Sequence, residues 1–481
     1  MTWFVLELWA AVRSLGEALL RAWRGWPAGT GSHGASTWAA LRDRRRLGRV
    51  SSPNRLEGDG IVLGWLSGHV LQTPAEDNLL LLGVQRSGKT STVVVPTLLS
   101  WTGAAVATST KEELVALTAG TRRRRGPVWV FAPLDRDHDW LRRLGFEPAT
   151  WNPVGEAVDC GAAAELADVF TAEGKRTHNA HFYLSAASLL TGLFVCARER
   201  GGDMRTVVAT LHRTSHAEYA ELAKFVADRT AADLLLAHSL TQDKEGNSVT
   251  STARSSLSLW VDDRIALATS QSANPVDLDA LLAESGTLYL VAPAEEAERV
   301  RPLFSVMISA LLRRATLGAR SQGGVLAPRL LLALDEAANF ARVPRLAGYA
   351  SSGPGQGIQL LLCYHDLAQI EAAYGAEDAR TVWNNCRARL LLPGQGDLKT
   401  LEQFSKAIGD ETRIYRSAHR GRRDSSTSEQ RHGRPLISPD ELRRLSDAVL
   451  LYANAPPARL RMRRWDQVPQ WRHLIEAPPP S

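Results

Sequence analysis

Two short segments of this chain carry residue types at spacings suited to phosphate chemistry. One is GVQRSGKT at residues 83–90; the other is Asp335-Glu336, which closes the apolar run RLLLALDE. Gly83 and Gly88 bracket a loop that must turn tightly, so that backbone N–H groups can face a phosphate chain. Lys89 would reach the terminal phosphates and Thr90 could hold magnesium, so the whole stretch Gly83, Val84, Gln85, Arg86, Ser87, Gly88, Lys89, Thr90 and Ser91 is expected to bind ATP or GTP. In the second segment, Asp335 would hold Mg2+ directly or through water, and Glu336 would be the base that activates the attacking water. A plainer reading makes the pair an acidic first turn of a helix, favoured by the helix dipole.

These segments need elements to hold them. Asn78–Leu82 reads as a buried parallel strand before the loop, and Ser91–Val95 continues into a helix. Further strands are predicted at 104–108, 128–131, 287–291, 330–334, 358–363, 389–392 and 448–452, with a short β-hairpin at 61–71. Strands alternating with helical spacing predict an α/β fold with a mainly parallel sheet covered by helices. From 156 to 278 strand-like runs disappear, which predicts an inserted all-helical domain. The expected organisation is 1–58 amphipathic helix and basic linker, 59–155 first part of the nucleotide-binding domain, 156–278 helical insertion, 279–465 second part, and 466–481 tail. Arg413 to Arg434, rich in Arg, Ser and Gly, reads as a mobile, solvated loop.

The 481 residues, 44% hydrophobic and 22% charged, exclude a disordered or collagen-like chain and allow two or three domains. A net charge of +6 and a pI near 9.3 permit a polyanionic partner without demanding one. Cys160, Cys196, Cys363 and Cys386 lack metal-ligand spacing and read as reduced core residues. The run Asp135-Arg136-Asp137-His138-Asp139 interleaves its acids with arginine and reads as a solvated loop rather than a metal site. Glu7, Arg13, Glu17 and Arg21 interrupt the apolar Met1–Trp26 stretch, so it reads as an amphipathic helix lying on protein or membrane and not as a span.

The order GVQRSGKT, the helical stretch, GTLYLVAP, LLALDEAANFARVPRLAGYASSGPGQGI, HDLAQIEAAYG, NNC and PDELRRL resembles the TraG/TraD-type coupling ATPases of conjugative type IV secretion. The resemblance covers roughly 60–465 and is most specific from Asp335 to Cys386. It implies a RecA-like P-loop NTPase fold with an all-helical insertion, and ATP and Mg2+ as cofactors. It also implies a homo-hexamer that grips the DNA backbone without sequence selectivity, with a relaxase or relaxosome and the secretion channel as partners. Lys89, Thr90, Asp335 and Glu336 take the family's site roles. Two membrane helices usually begin such proteins; here a separate membrane-protein partner is expected to supply attachment at the cytoplasmic face of the bacterial cell membrane. Gly353-Pro354-Gly355-Gln356 stands where many members carry an arginine, which shifts a trans-acting arginine to Arg342, Arg345, Arg387 or Arg389. His365 replaces the usual glutamine at the end of its strand and is expected to bond the γ-phosphate or the attacking water, its charge varying near neutral pH. Gln369 is a weaker candidate for the same sensing role. Alternatives are an ATP-binding adaptor that recruits a secretion substrate, or a related chromosome or mobile-element motor.

Overall fold

The computed structural model describes residues 34–51, 56–172, 174, 180–270, 274–340, 342–420 and 425–476. The N-terminal stretch 1–26 therefore lies outside the described residues. Strands β1 (Arg49–Ser51), β2 (Val62–Leu66) and β3 (His69–Gln72) form a small antiparallel sheet in the order β1-β3-β2. The main sheet has nine strands, β4 (Leu79–Leu82), β5 (Ala104–Ser109), β6 (Val128–Phe131), β7 (Thr287–Val291), β8 (Leu330–Leu334), β9 (Ile358–Tyr364), β10 (Ala388–Leu391), β13 (Ala448–Tyr452) and β14 (Ala458–Leu460). Between β10 and β13 a separate hairpin pairs β11 (Asp410–Arg420) with β12 (Ser425–Pro435).

The order across the main sheet is β14-β13-β10-β4-β9-β8-β5-β7-β6. From β10 to β6 every pairing is parallel, and β13 and β14 add antiparallel at one edge. Such a sheet must be apolar on both faces, which is why its strands read as continuous hydrophobic runs. Leu80 and Leu82 belong to one core while Leu79 and Leu81 belong to the other, and all four are fully buried. Each such leucine stabilises the fold by about 1.5–3 kcal/mol.

Between β6 and β7 the principal elements are helices, Cys160–Thr171, Ala180–Glu199, Met204–Arg213, Arg229–Ser239 and Asp243–Ser256 among them. Ala180–Glu199 is long and apolar enough to cross a membrane, but Leu189, Leu190, Leu193, Phe194 and Val195 are buried against neighbouring helices. One titratable cluster lies in this packing. The His216 and His238 rings meet edge-on at 4.8 Å, Tyr219 lies 5.0 Å from His238, and His238 Nε2 shares a hydrogen bond of 3.1 Å with Thr250 Oγ1. Burial first, and then His216, push His238 down to about 4. An unfolded chain takes up that proton near pH 6.5, so stability should be intact above that value and fall as pH drops toward 4. We expect the thermal midpoint of the wild type to fall between pH 7 and pH 4.5, and the fall to shrink in His238→Gln. An equal fall in both proteins would remove His238 as its cause.

Four expectations from sequence are corrected here. The 27–58 stretch is not only linker: Leu47 is fully buried, and β1 pairs with β3 while Ser51 Oγ donates to Gln72 Oε1 at 2.6 Å. A three-residue strand is too short to show a period. Residues 413–434 are not a loop but most of a hairpin with eleven registered pairs from Asp410↔Pro435 to Arg420↔Ser425. Its polar composition hides strand alternation because neither face needs to be apolar. The last segment is no free tail through residue 476: helix Pro469–Glu476 buries Trp471, whose indole N–H donates to Ser100 Oγ at 3.2 Å. Cys196, Cys363 and Cys386 are buried free thiols, whereas Cys160 is half-buried on the first turn of its helix.

Candidate active site

Parallel register brings the ends of β4, β9 and β8 to one edge. Leu82 lies opposite Tyr364, and Leu334 opposite Leu362, so Gly83, His365 and Asp335 leave the sheet side by side. This carboxyl edge is where open α/β sheets bind ligands. Gly83 N–H donates to Tyr364 O at 3.1 Å, and a Cβ there would come within 2.6 Å of Ser87 Oγ. Arg86 at φ +63° and Gly88 at φ +92° turn the loop back on itself. Thr90–Val94 then forms a π-helical turn that runs into helix Val95–Ser100.

The two distant motifs meet. Thr90 Oγ1 donates to Asp335 Oδ2 across 245 residues of sequence. Lys89, 7% exposed, donates from Nζ to Gly83 O at 2.5 Å and to Val84 O at 3.1 Å. Asp335 is also 7% exposed, and burial pushes its carboxyl up while Thr90 and Lys89 pull it down. Its backbone carbonyl accepts from Thr108 Oγ1 at 2.7 Å, and its Oδ1 accepts from Glu336 N–H at 3.1 Å. Glu336 is half-buried at φ +52°, a left-handed conformation that costs a non-glycine residue about 1–2 kcal/mol and that sets its side chain apart from the strand.

These residues fit a magnesium nucleotide. Ser87 Oγ is buried with no hydrogen-bond partner among the described residues, a polar atom facing the loop interior. A buried carboxylate beside a threonine hydroxyl is an oxygen donor pair that suits Mg2+. No group of three or more His, Cys, Asp or Glu able to hold a metal occurs among the described residues, and Asp135 instead accepts from the Asp137 and His138 N–H groups and the Trp140 indole. Burial and then Lys89 hold His365 below its ordinary value, against the opposing pull of Glu336 and Asp366.

A family model described as type IV secretory system conjugative DNA transfer matches residues 37–470. This chain belongs to that family. The conjugal transfer protein TraG of Escherichia coli is 26% identical over 471 residues, spanning 86% of this chain and 71% of TraG. VirD4 of Rhizobium rhizogenes is 26% identical over 465 residues, spanning 92% of this chain and 67% of VirD4. Among solved structures, the bacterial conjugative coupling protein TrwBdeltaN70 in complex with sulphate superposes with a TM-score of 0.66 at 18% identity, over 91% of this chain and 95% of that one. TrwB in complex with ADP and Mg2+ gives 0.64 at 16% identity, over 91% and 96%. At these identities the likeness shows the fold, RecA-like with a mostly parallel central sheet.

In this member of the conjugative DNA transfer family, the four arginines considered for a trans role have distinct surroundings. Arg387 pairs with Asp77 at 3.2 Å, and Arg389 stacks over the Trp383 ring at 5.2 Å. Arg342 and Arg345 follow the acidic pair and line a separate cavity. Pro354 opens the Pro354–Gln356 turn before β9, and its carbonyl accepts from Arg329 at 3.4 Å. Gln369 Oε1 accepts the His365 backbone N–H at 2.8 Å. Sequence reasoning missed Thr108 and Gln395. Gln395, 2% exposed, donates to His365 O at 2.7 Å and accepts from the Gly396 and Asp397 N–H groups. Thr108 could have been found as the polar residue at the carboxyl end of a strand beside β8.

Proposed function

We propose that this chain is the ATP-hydrolysing coupling protein of a conjugative type IV secretion system, linking DNA and its relaxase to the transfer channel. The observation that carries this reading is the Thr90–Asp335 contact, which joins phosphate loop and acidic pair into one pocket within a family named for conjugative DNA transfer. TrwB, a relative in fold, is described in complex with ADP and Mg2+.

On this reading the N–H groups of 84–90 and the Lys89 ammonium hold the phosphates. Thr90 and Asp335 would hold Mg2+, which supplies neutralisation of the charge that develops on the phosphates. Glu336 accepts the proton of the attacking water, and His365 hydrogen-bonds beside it. Thr108, Gln369 and Gln395 keep the strand ends in position. Assembly as a homo-hexamer, contact with the DNA backbone, and attachment at the cytoplasmic face of the membrane through a partner belong to the same proposal.

The test compares ATP turnover of the wild type and Lys89→Ala with and without DNA, together with particle size with and without nucleotide. Turnover that rises with DNA, is lost in Lys89→Ala, and accompanies a nucleotide-dependent ring is expected. Equal turnover in both proteins would rule out the site. Pro354 in the place of an arginine favours one second reading, an ATP-binding adaptor that recruits a secretion substrate. Tight nucleotide binding with negligible turnover, indifferent to DNA, would select it.

A further inference from the structure

Away from the phosphate loop, helix Ala297–Ser321 carries a polar stripe along one face. Arg301, Ser305, Ser309, Arg313, Thr316 and Arg320 recur at intervals of four, four, four, three and four, so they share one face. A helix that buries Leu303, Phe304, Met307, Ile308, Leu311 and Leu312 gains nothing from such a stripe as core. The stripe lines a cavity of about 540 Å³. Arg342, Arg345 and Tyr349 form the facing wall, and helix Cys160–Thr171 of the helical segment closes a third side with Glu165 and Asp168.

Charge and hydrogen-bonding character are lopsided. Five arginines, Arg301, Arg313, Arg320, Arg342 and Arg345, face three carboxylates, Glu165, Asp168 and Asp378. Arg313 is engaged, with Glu156 O at 3.2 Å and Glu165 at 3.8 Å, and Arg301 pairs with Glu298 at 3.3 Å. The Arg320 and Arg345 side chains are exposed and make no hydrogen bond or ion pair with a described residue. Arg345 is at φ +57°, a conformation that a long side chain rarely adopts. Five guanidinium forks, each with several N–H groups, outnumber the three carboxylates, while the serine, threonine and tyrosine hydroxyls can both donate and accept.

We propose that this cavity binds a small polyphosphate, free or as the phosphate chain of a nucleotide, and in doing so clamps the segment after Glu336 against the helical segment. The volume falls in the range of small-molecule sites and is far too small for a duplex. Every phosphate oxygen is an acceptor that an arginine fork can engage in pairs. The occupant would touch Arg342 and Arg345, six and nine residues beyond Glu336.

The probe is sodium tripolyphosphate, titrated calorimetrically into the full chain carrying Lys89→Ala so that the phosphate loop is disabled. One site per chain is expected, weakened about tenfold or more by Arg320→Gln and further by Arg313→Gln with Arg320→Gln, with Arg320→Lys restoring part of the loss. Hydrogen exchange of residues 342–352 should slow on binding. Tighter binding of a nucleoside triphosphate would assign the nucleotide as the source, and equal binding would assign the bare phosphate chain. Thermal midpoints matched across the variants exclude misfolding. Binding that is absent, unchanged by the arginine substitutions, or weaker than that of hexaglutamate overturns the proposal. Because the readout is affinity in a chain with a disabled phosphate loop, its failure is separable from failure of the ATPase reading.

Discussion

Glu336→Gln should lower ATP turnover by about 10²–10⁴-fold, the usual contribution of a positioned general base, while nucleotide affinity changes by no more than a few-fold. The substitution keeps the size of the side chain and its left-handed backbone, and the Glu336 N–H can still donate to Asp335 Oδ1. What it removes is the carboxylate proposed to take a proton. Lys89→Ala, by contrast, removes a charge that grips phosphate in both ground and transition states, so its loss should appear in affinity as well as in rate. Single-turnover hydrolysis, combined with equilibrium binding of a fluorescent nucleotide, separates the two. A fall of less than tenfold in Glu336→Gln would place the base elsewhere, with His365 the next residue to replace.

Arg122→Ala should cost about 3–5 kcal/mol of stability, the range for breaking a buried charged network. Arg122 is fully buried, yet no carboxylate accepts from it. Its guanidinium instead donates to Thr287 Oγ1 at 2.7 Å, to Gly103 O at 2.5 Å, to Ser285 O at 3.2 Å, and to Trp101 O. Burial, followed by the nearby Arg125, pushes it down to about 10, so it remains a cation at pH 7. Removing it strands carbonyls at the starts of β5 and β7 that water cannot reach. Lysine would be a poor substitute, since one ammonium cannot span acceptors arranged for a planar fork. The urea midpoint followed by circular dichroism measures the loss. A loss under 1 kcal/mol in Arg122→Ala would mean that these carbonyls find other partners.

The run Arg122–Arg125 also shows where sequence stops being legible. Read as letters, the four consecutive arginines carry nothing that tells a core residue from a solvated one. In the structure Arg122 is core, Arg123 stacks on Phe146 at 4.4 Å, Arg124 donates to Leu474 O at 2.6 Å, and Arg125 donates to Leu99 O at 2.8 Å and pairs with Glu57 at 2.9 Å. Charge density along a chain does not reveal which backbone carbonyls will come near it in three dimensions. By contrast, the strands of the parallel sheet were legible, because burial on both faces leaves an uninterrupted apolar run. The phosphate-loop pattern could be read as letters too, since the phosphate binding proposed for it demands glycines and a lysine at fixed intervals. The supports of the pocket could not: Thr108 and Gln395 act through a strand neighbour and a carbonyl contributed by distant parts of the chain. The β11–β12 ribbon escaped for the opposite reason, since its backbone pairing imposes no apolar alternation on its sequence.

The strands bearing the chemistry, β4, β9 and β8, lie in the interior of the sheet, whereas the long helical excursion leaves and re-enters through β6 and β7 at its far margin. Between the two stands β5, whose Thr108 fastens the carbonyl of Asp335. The pocket edge and the helical excursion are thus joined within the sheet through β5, and along the chain through the segment that follows Glu336.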